Sequence, residues 1–247
     1  MSGHSKWATI KRKKGANDAK RGKMFSKILR EISIVAKKGG GNMDTNASLR
    51  TVAAKARAIN MPMDNIKRAI QKGTGELPGA SYEEMTYEGY GPGGVAVFID
   101  GSTDNKNRTS AEMRTLFSKH GGNMGESGCV GWMFELKGVI VVSKEGTTED
   151  DVMTVALDLG AEDISTETES FDITTLPENF EKVKAGLEAK KITIISAEVT
   201  KVPKNYVEVK GKAAAQVLAL IDGLEDNDDV ANVYTNADIP ESEIPAE

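Results

Sequence analysis

Residues 205–236, "NYVEVKGKAAAQVLALIDGLEDNDDVANVYTN", read as strand, helix and strand. "NYVEVKG" (205–211) and "VANVYTN" (230–236) place β-branched and aromatic residues between turn formers. Ala214, Val217, Leu218 and Ile221 recur between them at the spacing of one helical face. This β-α-β unit has no partner in its own vicinity. Residues 94–136 hold a second such half: "GVAVFID" (94–100) as a strand, a helix over 109–120 and "CVGWMFEL" (129–136) as a strand. Thr109 and Glu112 make a T-x-x-E capping box at the start of that helix, and Gly121-Gly122 closes its end. Joining the two halves yields β-α-β-β-α-β. Between them lies a complete set of the same kind: "GVIVVS" (138–143), a helix from about Thr148 to Leu159, and a short strand near Ile164. "SFDITTL" (170–176), a helix starting at Pro177 and "ITIISAEVT" (192–200) complete it.

The start of the chain is helical. From Ala19 to Lys38, Phe25, Ile28, Leu29, Ile32, Val35 and Ala36 fall within a sector of roughly 120° at helical spacing, with Lys20, Lys23, Lys27 and Arg30 opposite. "GGG" at 39–41 ends this helix; a second is expected from about Thr45 to Ile59 and a third from Asp64 to Gly73. "GTGELPGAS" (73–81) is a linker. The expected fold class is α+β: an N-terminal three-helix domain plus two ferredoxin-like α+β domains, one inserted in the other. The expected boundaries are 1–75 for the helical domain with its N-terminal arm, and 76–137 plus 204–240 for one α+β domain. Residues 138–203 form the inserted domain and 241–247 an acidic tail. A single mixed sheet spanning both α+β parts is the competing architecture.

Charge divides along the same line. The 247 residues carry a formal net charge of -5, yet residues 1–75 hold 18 Lys and Arg against 4 acids, +14, and the remainder 14 against 33, -19. Such a split points to a polyanion-binding segment joined to one that avoids polyanions. The single cysteine, Cys129, excludes an intramolecular disulfide, and two histidines give no metal-ligand spacing, so no metal and no cofactor are expected. Apolar runs as short as "GVIVV" (138–142) predict no membrane span, and the reading is cytoplasmic.

No catalytic constellation emerges. "GYGPGG" (89–94) precedes a strand rather than opening a helix, so it reads as a turn and not a phosphate loop. His120 sits at a helix end, and Cys129 enters an apolar strand. The leader "GHSKWATIKRKKGANDAKRGK" (3–23) is different, because lysines and arginines release counterions from phosphates while an aromatic stacks on an unpaired base. Candidate nucleic-acid contacts are Lys6, Trp7, Lys11, Arg12, Lys13, Lys14, Lys20, Arg21, Lys23, Lys27 and Arg30, with Trp7 equally readable as a hydrophobic anchor. Charge of this kind supplies affinity without sequence specificity.

Five blocks carry a resemblance: "GHSKWATIKRKKGANDAKRGKMFSKILREI" at the start, "YEGYGPGG" (87–94), "DNKNRT" (104–109), "SKHGGNMG" (118–125) and "LEDNDDVANVY" (224–234). On these the chain resembles the YebC/PmpR family from Gly3 to about Ile239. The resemblance implies a helical domain followed by two α+β domains, one interrupting the other. It also implies a DNA-binding transcriptional regulator, and the lack of a catalytic constellation adds the expectation that it is not an enzyme. The alternative it carries is a ribosome- and RNA-associated translation factor relieving stalling on proline-rich sequences. A third reading, from charge alone, makes residues 76–247 an acidic protein-interaction module. DNA and ribosomal RNA both stay open as partners, with the ribosome itself as a further one. The sequence sets no oligomeric state and gives the 87–94 and 104–109 blocks no chemical role.

Overall fold

The computed structural model describes residues 18–243, of which 18–21 and 241 are described by their backbone alone. Three helices come first: α1 (Asp18–Gly39), α2 (Ala47–Ala58) and α3 (Met63–Thr74). Ile32 and Ala36 of α1, Leu49, Val52, Ala53 and Ala56 of α2, and Ile66 and Ala69 of α3 bury one another, with Phe25, Ile28, Leu29 and Val35 packed against them. That is the apolar face expected from spacing. Asn46 joins α1 to α2: its side chain accepts from the Leu49 amide at 3.0 Å and donates to the carbonyls of Val35 and Gly40 at 2.9 and 2.8 Å.

The next sheet has the strand order β3-β1-β2-β9, formed by β1 (Glu83–Tyr90), β2 (Ala96–Thr103), β3 (Asn123–Met124) and β9 (Val230–Thr235). Helices α4 (Lys106–Lys119) and α7 (Gly211–Glu225) accompany it. Strand β1 was not anticipated. Its Glu83, Glu84, Glu88 and Gly89 break the apolar alternation, and its burial comes from Met85 on one side and the Glu88–Gly89 pair further on. The turn at "GYGPGG" is as read: it closes the β1–β2 hairpin, with Gly91 donating to the Val95 carbonyl at 2.7 Å.

Three element readings need correction. Helix α4 starts at Lys106, capped by Asn105, whose side chain accepts from the Arg108 amide at 3.1 Å. Thr109 therefore lies inside the helix and makes no capping box with Glu112; a capping box exists instead at Thr148 and Asp151. The strand expected at 129–136 begins only at Phe134, and 134–143 is a single strand, β4, running through the expected boundary at 137–138. Gly138, which separates the two runs in the sequence, sits in the ladder opposite Thr175 and Val199. A Cβ there would collide with Thr175 Oγ1 and lie 2.7 Å from the Phe180 ring, so the glycine admits close packing rather than a break. The strand expected at 205–211 contracts to β8 (Val207–Glu208), paired in parallel with β10 (Ala237–Asp238). The first sheet consequently starts from a hairpin rather than from a β-α-β unit.

The second four-stranded sheet follows the expected order of elements: β4 (Phe134–Ser143), α5 (Glu149–Asp158), β5 (Ala161–Thr166), β6 (Ser170–Thr175), α6 (Phe180–Ala189) and β7 (Ile194–Pro203). The strands lie antiparallel in the order β5-β6-β4-β7, the ferredoxin-like arrangement. Ile140, Val142, Val152, Ala156, Phe171, Ile173, Val183 and Leu187 form its core. The class is α+β with the three-helix segment first. Its described residues divide into two compact units, 18–130 with 212–233 and 131–211 with 234–243, so the helical bundle and the first sheet share a unit. No described helix is long and apolar enough to cross a membrane.

Candidate nucleic-acid interface

Lys6, Trp7, Lys11, Arg12, Lys13 and Lys14 lie outside the described residues. Lys20 and Arg21 lie on α1, where only the backbone is described. Lys23, Lys27 and Arg30 share one face of α1, as positions i, i+4 and i+7 must, and that face meets the acidic turn Glu225–Asp229 between α7 and β9. Lys23 Nζ pairs with the Asp226 carboxylate. Lys27 Nζ donates to the Glu225 carbonyl at 2.7 Å, and Arg30 donates to the Asp228 carbonyl at 2.8 Å and to Asp229 Oδ1 at 2.6 Å. Burial pushes the Lys27 ammonium below the usual lysine range, against the pull of Glu225 and Asp228. A phosphate reaching these three cations must first displace protein partners.

Asp229 is the node of this contact, its side chain 5% exposed. Besides Arg30, it accepts through Oδ2 from Arg108 at 2.6 Å, Thr109 at 2.6 Å and Thr103 at 3.0 Å. Burial alone would raise this carboxyl, but the bonds from Thr109, Arg108, Thr103 and Arg30 hold it below the ordinary carboxylate value. The Arg108 guanidinium is in turn held more firmly protonated by Asp229 and Asp104. One role of the "DNKNRT" block is thus architectural: Asn105 caps α4, and Arg108 and Thr109 grip the aspartate supplied by "LEDNDDVANVY".

A second buried carboxylate ties the other two blocks together. Glu88, in "YEGYGPGG", accepts from the amides of Gly128 and Val130 at 2.7 and 2.8 Å, and its own carbonyl accepts from Gly125, the last residue of "SKHGGNMG". Gly89 and Tyr90 pair with Met124 and Asn123 across the same strands. His120 ends α4, its amide donating to the carbonyls of Leu116, Phe117 and Ser118. The Cys129 thiol is pushed up by burial and by the neighbouring Glu88, which suppresses the thiolate a nucleophile needs. No metal-holding group of His, Cys, Asp or Glu occurs among the described residues.

The cations that do face an open surface were missed in the sequence. Lys67, Arg68 and Lys72 are exposed on α3 and make no ion pair with any described residue. Arg68 and Lys72 line a groove of about 420 Å³ between α1 and α3, together with Arg30, Asn65, Ser33 and Tyr82. The Arg30 guanidinium lies 5.0 Å from the centre of the Tyr82 ring. A helical wheel of 64–73 contains the signal, because Ile66 and Ala69 turn inward and leave Lys67, Arg68 and Lys72 outward. The partner wall from α1 and the position of Tyr82 are not contained in it.

The model of the TACO1/YebC N-terminal domain matches residues 5–76, and that of the TACO1/YebC second and third domains matches 82–237. The chain belongs to the TACO1/YebC family. A family member from Clostridium tetani is 58% identical over 98% of both chains, and one from Desulfatibacillum aliphaticivorans is 56% identical over 99% of both. Each is named a probable transcriptional regulatory protein. Among solved structures, a TACO1/YebC-like fold is present in a conserved hypothetical protein of Aquifex aeolicus. It is 46% identical, with a TM-score of 0.77, and the match covers 91% of this chain and 93% of that one.

Proposed function

We propose that the protein regulates gene expression by binding nucleic acid through its helical domain and leader, and that it acts without catalysis. The observation that carries this reading is the segregation of charge: +14 over residues 1–75 against -19 over the rest, with Lys67, Arg68 and Lys72 exposed and unpaired among the described residues. Lys23, Lys27 and Arg30 join the contact where the nucleic acid displaces the Glu225–Asp229 turn; elsewhere they fix the helical domain to the first sheet. The relatives' names favour DNA and transcription. An RNA or ribosomal target satisfies the same charge.

Affinity for duplex DNA and for structured RNA, measured over a range of salt, tests the reading. Replacing Lys11, Lys13 and Lys14 by Glu flattens the salt slope by about 0.9 per lost duplex contact. An unchanged slope with unchanged affinity refutes it. Sedimentation of a lysate with crosslink mapping then assigns the target: a sequence-specific footprint on DNA means transcription, and co-sedimentation with ribosomal particles means translation.

A further inference from the structure

Among the described residues, none of the chain's 37 acids lines the groove between α1 and α3. Its lining includes Arg30 from α1, Arg68 and Lys72 from α3, the side-chain amide of Asn65 and the ring of Tyr82. A smaller recess of about 230 Å³ continues from it, sharing Ser33, Lys72 and Tyr82 and adding Lys37, again with no carboxylate among its described lining residues. Arg68 and Lys72 stand four residues apart, so one helical face presents both charges to the same side. Lys37 donates to the neutral Ser81 hydroxyl at 2.8 Å, and Arg30 reaches its acidic partners through NH1. Asp229 offsets Arg30, so the positive field of the concavity rests chiefly on Arg68 and Lys72, focused by its walls.

We propose that this groove is a binding site for an unpaired nucleotide within a nucleic-acid strand, with its phosphate on Arg68 and Lys72 and its base against Tyr82. This rests on the nucleic-acid reading above and narrows it. A duplex presents phosphates on a convex surface and keeps its bases stacked inside, so it can touch the rim cations but cannot bring a base to Tyr82. A single strand supplies both groups to a pocket whose volume suits one nucleotide, and base–aromatic stacking tolerates any sequence. Lys37 and the adjoining recess give the neighbouring phosphate a place to continue. The base contact also explains why an aromatic stands at the edge of the cationic domain, directly after the linker.

The test uses the full chain and a labelled oligouridylate of about 12 nucleotides, with a duplex of the same length for comparison. Tyr82→Leu weakens single-strand binding on the order of 10-fold and leaves duplex binding within about twofold, whereas Tyr82→Trp retains both. Lys72→Gln, at an exposed position without an ion pair to any described residue, keeps the fold and lowers the single-strand salt slope by about 0.7. Wild-type protein that binds strands, with Tyr82→Leu and Lys72→Gln unchanged, overturns the groove assignment alone. Wild-type protein that binds no nucleic acid overturns the functional reading beneath it. Equal competition by free uridine monophosphate assigns the groove to free nucleotides, and equal competition by polyglutamate assigns it to acidic peptides; either result overturns the strand assignment.

Discussion

Replacing Asp229 by Asn isolates what holds the helical domain to the first sheet. The carboxylate receives Arg30 on Oδ1 and Thr103, Arg108 and Thr109 on Oδ2, at 2.6 to 3.0 Å. An amide offers one acceptor and one donor, so at least one of these two clusters of donors must face an N–H₂ group. Orienting the amide oxygen toward Oδ2's three donors is the better choice, and it leaves Arg30, whose side chain is 19% exposed, opposite a donor. Removing one partner of a largely buried pair costs about 3 kcal/mol. The exposed pair nearby sets the contrast. Asp226 is 75% exposed and Lys23 40% exposed, so Asp226→Asn changes stability by no more than about 0.5 kcal/mol. Urea unfolding followed by far-ultraviolet circular dichroism measures both. Asp229 has a carboxyl lowered by folding, so its contribution is complete above the unfolded value near 4 and is lost as pH falls through the lower folded value. The deficit of Asp229→Asn relative to wild type therefore shrinks in acid. A deficit below about 1 kcal/mol at pH 7, or one that stays constant through the acid range, refutes the reasoning.

Two further substitutions probe the frame around the site. Gly101→Ala introduces a Cβ that collides with the Asp229 carbonyl and lies 2.8 Å from Met85, prising β2 from β9, and is expected to lower stability by about 2 kcal/mol in the same assay. Asn46→Ala removes the cap of α2 and the donors to two carbonyls. It should cost about 2 kcal/mol and speed amide hydrogen exchange at the start of α2 before exchange in the second sheet responds.

The buried faces of the three helices were legible because 3.6-residue spacing is a local property, and so was the ferredoxin-like set from β4 to β7, whose elements follow one another along the chain. Strand β1 was not, because its buried positions include Glu88, whose burial is made possible by amides of Gly128 and Val130 about 40 residues away. The capping role assigned to Thr109 failed for a related reason. Its hydroxyl is recruited by Asp229, a partner 120 residues distant, while Asn105 caps the helix one turn earlier.

The sequence by itself determined the class of the protein and the sign of its helical end, because composition and periodicity need no knowledge of partners. It also marked Lys23, Lys27 and Arg30 as cations on one helix face. Only the tertiary structure decided which cations remain available. Charges interact through space, and the chain brings its acidic Glu225–Asp229 turn to α1 across some 200 residues, engaging three cations there. The same folding sets α3 against α1 and leaves Arg68 and Lys72 beside Tyr82 in a groove that no carboxylate of the described residues lines.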